Sequence, residues 1–143
     1  MTQTDAPVLF DTFPTASGHR FGRATLNAAA SLNALTLPMV DALAPQLRAW
    51  AHDPQIAGVV LDANSEKAFC AGGDVVGLYR AIRATPPGEV PAAPAAFFER
   101  EYRLDYQIHT YPKPLVCWGH GIVMGGGMGL MDGASHRVAT ERT

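Results

Sequence analysis

Apolar positions along the chain change their spacing several times, and each change marks an element. Val8-Leu9-Phe10 and the stretch Arg20 to Asn27 flank a Pro/Gly/Ser turn, a pattern that predicts two short strands. Residues 28–31 read as a loop. From Thr36 the spacing lengthens: Met39, Leu43, Leu47 and Trp50 recur at helical intervals and Val40 joins their face. Thr36 suits the cap of that helix, Pro38 its first turn, and Asp53-Pro54 its end. Ile56 to Leu61 is a continuous apolar run of strand length, as expected of a strand buried on both faces of a parallel sheet.

The second half repeats this alternation. Residues 64–71 predict a loop with a brief extended piece at Phe69-Cys70, and Asp74 suits the cap of a helix reaching Ala84. Residues 85–94 are rich in proline, which predicts a loop and the most mobile segment. Ala95 to His109 reads as a helix stopped by Pro112 and Pro114. Leu115 to Trp118 reads as a second buried strand, and His120-Gly121 as a turn. The triplet Gly125-Gly126-Gly127 opens a short helix to Met131, and His136 to Ala139 is a last strand. Strands alternating with helices predict an α/β fold with right-handed crossovers.

Composition narrows the class without changing the fold. A chain of 143 residues suits one domain, and 48% hydrophobic with 17% charged residues is a globular balance. A net charge of -2 and scattered basic residues favour neither nucleic acid nor an anionic membrane as partner. Cys70 and Cys117 are too few for a disulfide scaffold and read as buried thiols in a reducing compartment. No apolar run approaches the roughly 18 residues of a membrane span. The N-terminus, Met1 to Pro7, has no signal-peptide pattern. A cytoplasmic protein is expected.

Three features could carry chemistry. The first is the turn Ala71-Gly72-Gly73-Asp74, between an extended piece and a capped helix. Paired glycines let a backbone approach a ligand closely, and a following helix start offers unpaired N–H groups. The plain alternative is a tight turn with Asp74 as cap. The second is the glycine triplet, where each glycine weakens a helix by roughly 1 kcal/mol relative to Ala. Helix packing is the plain alternative here. Two such turns, each after a short apolar strand, supply two N–H donors, the requirement for stabilising a carbonyl oxygen that becomes negative. The third feature is Glu101, an acid in the middle of the stripe Phe97, Leu104, Ile108. It reads either as half of an ion pair with an Arg or as a group at the rim of a pocket.

Other sites are disfavoured. The glycine triplet lacks the Gly-Lys-Ser/Thr ending of a phosphate loop and the acidic residue of a dinucleotide fingerprint. No Gly-x-Ser-x-Gly elbow is present, and Cys70 has no paired base. The histidines lack ligand spacing, so no metal is expected, and His120 reads as a turn residue.

Asn33-Ala34-Leu35, the run 67–74 and the run 120–127 together resemble the enoyl-CoA hydratase/isomerase (crotonase) superfamily. Phe97 to Tyr102, Tyr111-Pro112-Lys113-Pro114 and Arg137 to Glu141 add a likeness to its 3-hydroxyisobutyryl-CoA hydrolase branch. The resemblance runs from about Gly22 to Thr143. It implies a crotonase-like (ClpP/crotonase) spiral of β-β-α units, with residues 1–143 as the N-terminal part of one domain, truncated before the C-terminal helices. It implies acyl-CoA thioester hydrolysis, in valine breakdown, with coenzyme A as part of the substrate and no covalently bound cofactor. Gly73 and Gly126 would supply the two oxyanion N–H groups. Glu101 would line the acyl pocket. The segments around Leu26, Ala34, Leu35 and Ala71, with Asp74, would border the coenzyme. Hydratases of the family carry a catalytic Glu at the position matching Gly129, and glycine cannot move a proton, so direct hydratase chemistry is disfavoured and an enoyl-CoA hydratase or isomerase stands as the rival enzyme. The hydrolase's main catalytic carboxylates lie beyond the position matching Thr143, so a non-catalytic CoA-binding fragment is the other rival. A homo-oligomer is compatible with the resemblance.

Overall fold

The computed structural model describes residues 5–143. Strand β1 (Val8–Pro14) pairs antiparallel with β2 (Arg20–Leu26). A single turn of 3-10 helix at Ala29–Ser31 follows, where a loop is expected. Helix α1 (Leu37–His52) starts as its sequence predicts, with Thr36 Oγ1 accepting from the Met39 N–H. Its face of Met39, Val40, Leu43, Leu47 and Trp50 is buried in the core. Strands β3 (Ile56–Ala63) and β4 (Ala68–Cys70) come next, then α2 (Val75–Ala84), capped by Asp74 Oδ1 accepting from the Gly77 N–H.

Helix α3 (Ala92–His109) begins three residues earlier than the proline content of 85–94 suggests. Pro94 sits in its first turn, where an N–H has no intrahelical acceptor to lose. The chain closes with β5 (Leu115–Gly119), β6 (Ile122–Val123), α4 (Gly126–Asp132) and β7 (His136–Ala139). Strand β6 is too short to leave a pattern in the sequence.

The main sheet has the order β1-β2-β3-β5-β7, and every pairing after the first hairpin is parallel. Strands β4 and β6 form a separate parallel pair. The α1 and α3 helices pack on each other, and α1's last carbonyls are held from the segment after α3. Tyr111 Oη donates to the Leu47 carbonyl at 2.6 Å, and Lys113 Nζ donates to the Trp50 and Asp53 carbonyls, each at 2.6 Å. The fold is the mixed α/β arrangement that the alternating pattern predicts.

Candidate active site

The small β4–β6 sheet places the two glycine turns. The Met124 N–H donates to the Cys70 carbonyl at 3.1 Å, carrying the parallel pairing to the end of both strands. Each strand then enters a glycine turn with positive φ, +109° at Gly72 and +52° at Gly125, which side chains on L-residues rarely tolerate. The two turns stand back to back. A Cβ on Gly125 would lie 3.4 Å from the Gly72 Cα, and one on Gly72 would lie 3.3 Å from the Met124 carbonyl oxygen. The positive φ at both residues, more than the space between them, calls for glycine.

That contact brings Gly73 and Gly126 together at one cavity of about 410 Å³, which both residues line. Leu35 forms a parallel bridge to Gly73, with the Leu35 N–H donating to the Gly72 carbonyl at 2.7 Å and the Asp74 N–H to the Leu35 carbonyl at 2.9 Å. In a parallel bridge the residue between those two bonds turns its own N–H away from the partner. Among the described residues, neither the Gly73 nor the Gly126 N–H has a hydrogen-bond acceptor. Gly126 is the first residue of α4, so its N–H has no partner within the helix either.

Leu35 is itself held by Asn33, which is fully buried with a φ of +53°. Asn33 Oδ1 accepts from the Ala28 N–H at 2.7 Å, and Nδ2 donates to the Ala68 carbonyl at 3.1 Å. One side chain thereby ties the loop before α1 to β4, at the root of the first glycine turn.

Glu101 enters the same cavity from α3. It is 4% exposed, and a Cβ on Gly126 would overlap its Oε1. No described residue hydrogen-bonds to it or pairs with it; the α3 arginines bind elsewhere, Arg100 to Asp41 and Arg103 to Glu99. The ion-pair reading of Glu101 is therefore set aside. Burial, and secondarily the Asp105 charge, raise its pKa above the ordinary carboxylate value. Phe97, one turn before it, lays its ring 3.5 Å from where a Gly73 Cβ would stand.

The remaining sequence candidates are distributed around this centre. Leu35 is fully buried, and its Cδ2 would lie 3.4 Å from a Gly126 Cβ. Ala34 and Ala71 are half-buried, with their N–H groups donating to Ser31 and Leu32 carbonyls. Asp74 caps α2 and borders a neighbouring cavity of about 340 Å³ that shares Leu78 and Phe97 with the first. The Leu26 side chain is not brought to either cavity; it is fully buried in the core beneath β2.

The thiols sit apart from this chemistry. Burial pushes the Cys70 thiol up, and pushes Cys117 up to about 12, the opposite of an activated nucleophile. His120 bonds the Glu66 carbonyl at 3.0 Å, as a turn residue does. Among the described residues, no group of three or more His, Cys, Asp or Glu could hold a metal ion, and no helix is long and apolar enough to cross a membrane.

A residue that the sequence reading passed over is Asp105, one turn after Glu101. Its carboxyl lines the cavity, and its Oδ1 is buried without any hydrogen-bond partner. Burial pushes its pKa up to about 6. The signal was present: Phe97, Glu101 and Asp105 recur at every fourth position of one helix.

An α/β fold with two abutting glycine turns over an acid-lined cavity is the architecture of the crotonase class. The chain belongs to the enoyl-CoA hydratase/isomerase family, whose model matches residues 21–143. It is 43% identical over 122 residues to the mitochondrial 3-hydroxyisobutyryl-CoA hydrolase of Gallus gallus, covering 85% of this chain and 30% of that protein. It is 42% identical over 118 residues to the small ribosomal subunit protein mS47 of Neurospora crassa, covering 82% of this chain and 23% of that protein. Among solved structures, a carnitinyl-CoA dehydratase from Mycobacterium thermoresistibile superposes with a TM-score of 0.86 at 38% identity, over 97% of this chain and 38% of that one. The chain thus spans about 30% of the length of the curated hydrolases it matches.

One expectation is overturned. The matching hydrolases are mitochondrial proteins, which points to mitochondria rather than the cytoplasm. Composition did not separate the two, because a folded domain meets similar aqueous, reducing conditions in either.

Proposed function

We propose that this chain forms the oxyanion-stabilising half of a 3-hydroxyisobutyryl-CoA hydrolase-like enzyme of valine catabolism. The observation that carries the reading is the pair of acceptorless amides, Gly73 and Gly126, on back-to-back turns over one cavity. A thioester carbonyl placed between them would receive two hydrogen bonds, and these strengthen as the oxygen gains negative charge on attack by water. Glu101, itself buried, would border the acyl group. The neighbouring cavity beside Asp74 would take the pantetheine end of the coenzyme, with the Ala34, Leu35 and Ala71 backbone along its path and Leu26 only supporting it from the core. A volume of about 410 Å³ has room for a short acyl group and its thioester.

Hydration of an enoyl thioester is less well supported, although a neighbouring structure is a dehydratase. Gly129 has no proton to move where the family's hydratases use a Glu. In a form with the relatives' full length, further carboxylates would activate water. In such a form, 3-hydroxyisobutyryl-CoA should release free thiol, detected with a chromogenic disulfide, while crotonyl-CoA should not be hydrated. Gly126→Pro removes one amide donor and also sets a Cβ against the Glu101 carboxyl, so kcat should fall by at least about 100-fold with little change in coenzyme A binding. Thiol release at an unchanged rate would sink this reading. Hydration of crotonyl-CoA without thiol release would favour the rival enzyme. The likeness to a ribosomal subunit protein motivates a third outcome, a binding or assembly module, for which neither reaction would be seen.

A further inference from the structure

Asp105 presents a carboxyl to the cavity with nothing in the protein to bind it. It lies one turn from Glu101 on α3, and its two oxygens lie over Gly129: a Cβ at that position would be 2.9 Å from Oδ2 and 3.2 Å from Oδ1. The glycine leaves room for this carboxyl, which occupies the space a side chain at 129 would take. Solvent does not reach Oδ1, and no donor from the protein does. Among the described residues no arginine, lysine or histidine lines this cavity; its charged groups are Glu101 and Asp105 alone. The other oxygen, Oδ2, has no donor from the protein either and is not sealed, so a ligand hydroxyl in the cavity can supply the hydrogen bond it lacks.

We infer that Asp105 is a specificity residue that accepts a hydrogen bond from a hydroxyl group on the acyl chain, so that the cavity selects hydroxyacyl over unsubstituted acyl thioesters. This rests on the acyl-CoA reading above. Two negative or acidic groups in one apolar pocket would repel an acyl chain ending in a carboxylate, and an alkyl chain would leave Asp105 unpaired. A neutral chain bearing a hydroxyl meets both conditions. The raised pKa is consistent with the same geometry, since burial makes the carboxyl keep a proton more readily than usual.

The test is calorimetric titration of the 143-residue chain with two thioesters, 3-hydroxyisobutyryl-CoA and isobutyryl-CoA, which differ by the hydroxyl alone. Wild type should bind the hydroxyacyl thioester about 10- to 100-fold more tightly, the range of one hydrogen bond to an ionisable acceptor. Asp105→Leu, similar in size and without an acceptor, should lose that ratio while its affinity for isobutyryl-CoA stays the same or rises. Asp105→Asn retains a carbonyl oxygen and should keep part of the preference, a pattern that a merely structural role would not give. Equal binding of the two thioesters by wild type overturns the assignment and leaves the acyl-CoA reading standing. An unchanged ratio in a folded Asp105→Leu variant also overturns it. Binding of neither thioester overturns both.

Discussion

Two acids on α3 dominate the residue scale: Glu101 is buried and Asp105 half-buried, and neither has a hydrogen-bond partner among the described residues. The folded chain holds the Asp105 proton up to about pH 6, against an ordinary value of 3.8. Between those values the folded state binds more protons than the unfolded one, so stability falls as pH rises through the window and stays lower above it. Glu101 acts in the same direction. Asp105→Asn removes one of these two contributions. Its melting temperature relative to wild type should therefore climb from pH 4 to pH 6.5 and then level off; a difference that does not change with pH would contradict the burial of this carboxyl. Asn33 is the opposite case, a buried polar side chain with both ends satisfied. Asn33→Ala should cost about 1–3 kcal/mol in denaturant unfolding, because the Ala28 N–H and the Ala68 carbonyl lose their partners. A loss under 0.5 kcal/mol, roughly the effect of an ordinary surface change, would show that the tie is not needed.

At the scale of elements, caps and breakers were legible and short pairings were not. Thr36, Asp74 and Pro112 each act through their immediate neighbours, so α1, α2 and the end of α3 could be read from local sequence. The start of α3 is not legible, because a run of prolines looks the same before a helix and within its first turn. Strand β6, two residues long, exists only because β4 lies beside it. The tie between Lys113 and the end of α1 spans sixty residues and has no local signature. Lys113→Met keeps the apolar stem and removes the donor to two carbonyls. It should lower stability by about 1–2 kcal/mol in chemical denaturation, without altering thioester affinity. A change in affinity of tenfold would mean that α1 and the cavity are coupled.

For the whole molecule, the surface is uneven. Val75, Val76, Tyr79 and Ile82 are all more than half exposed or close to it along α2, and Trp118, Ile122, Met124 and Met128 are exposed around β6 and α4. Apolar groups clustered in this way favour association. Sedimentation velocity of the 143-residue chain should show a weight-average mass that rises with concentration in the micromolar range. A strictly monomeric boundary at every concentration would show that these side chains are tolerated in water.

The sequence by itself determined the alternation of helices and strands, the buried face of α1, the two glycine turns and the family, because each rests on local spacing or on a contiguous motif. It also placed Glu101 on an apolar stripe, but left open whether a partner awaited it. Only the tertiary structure decided that. It showed Glu101 unpaired against Gly126, set Gly72 against Gly125 so that two distant amides share one cavity, withdrew Leu26 into the core, and exposed Asp105 as a second acid over Gly129. The physical reason is common to all four. Whether a polar group is paired, sealed or presented depends on which residues from other elements reach it, and those lie dozens of positions away along the chain.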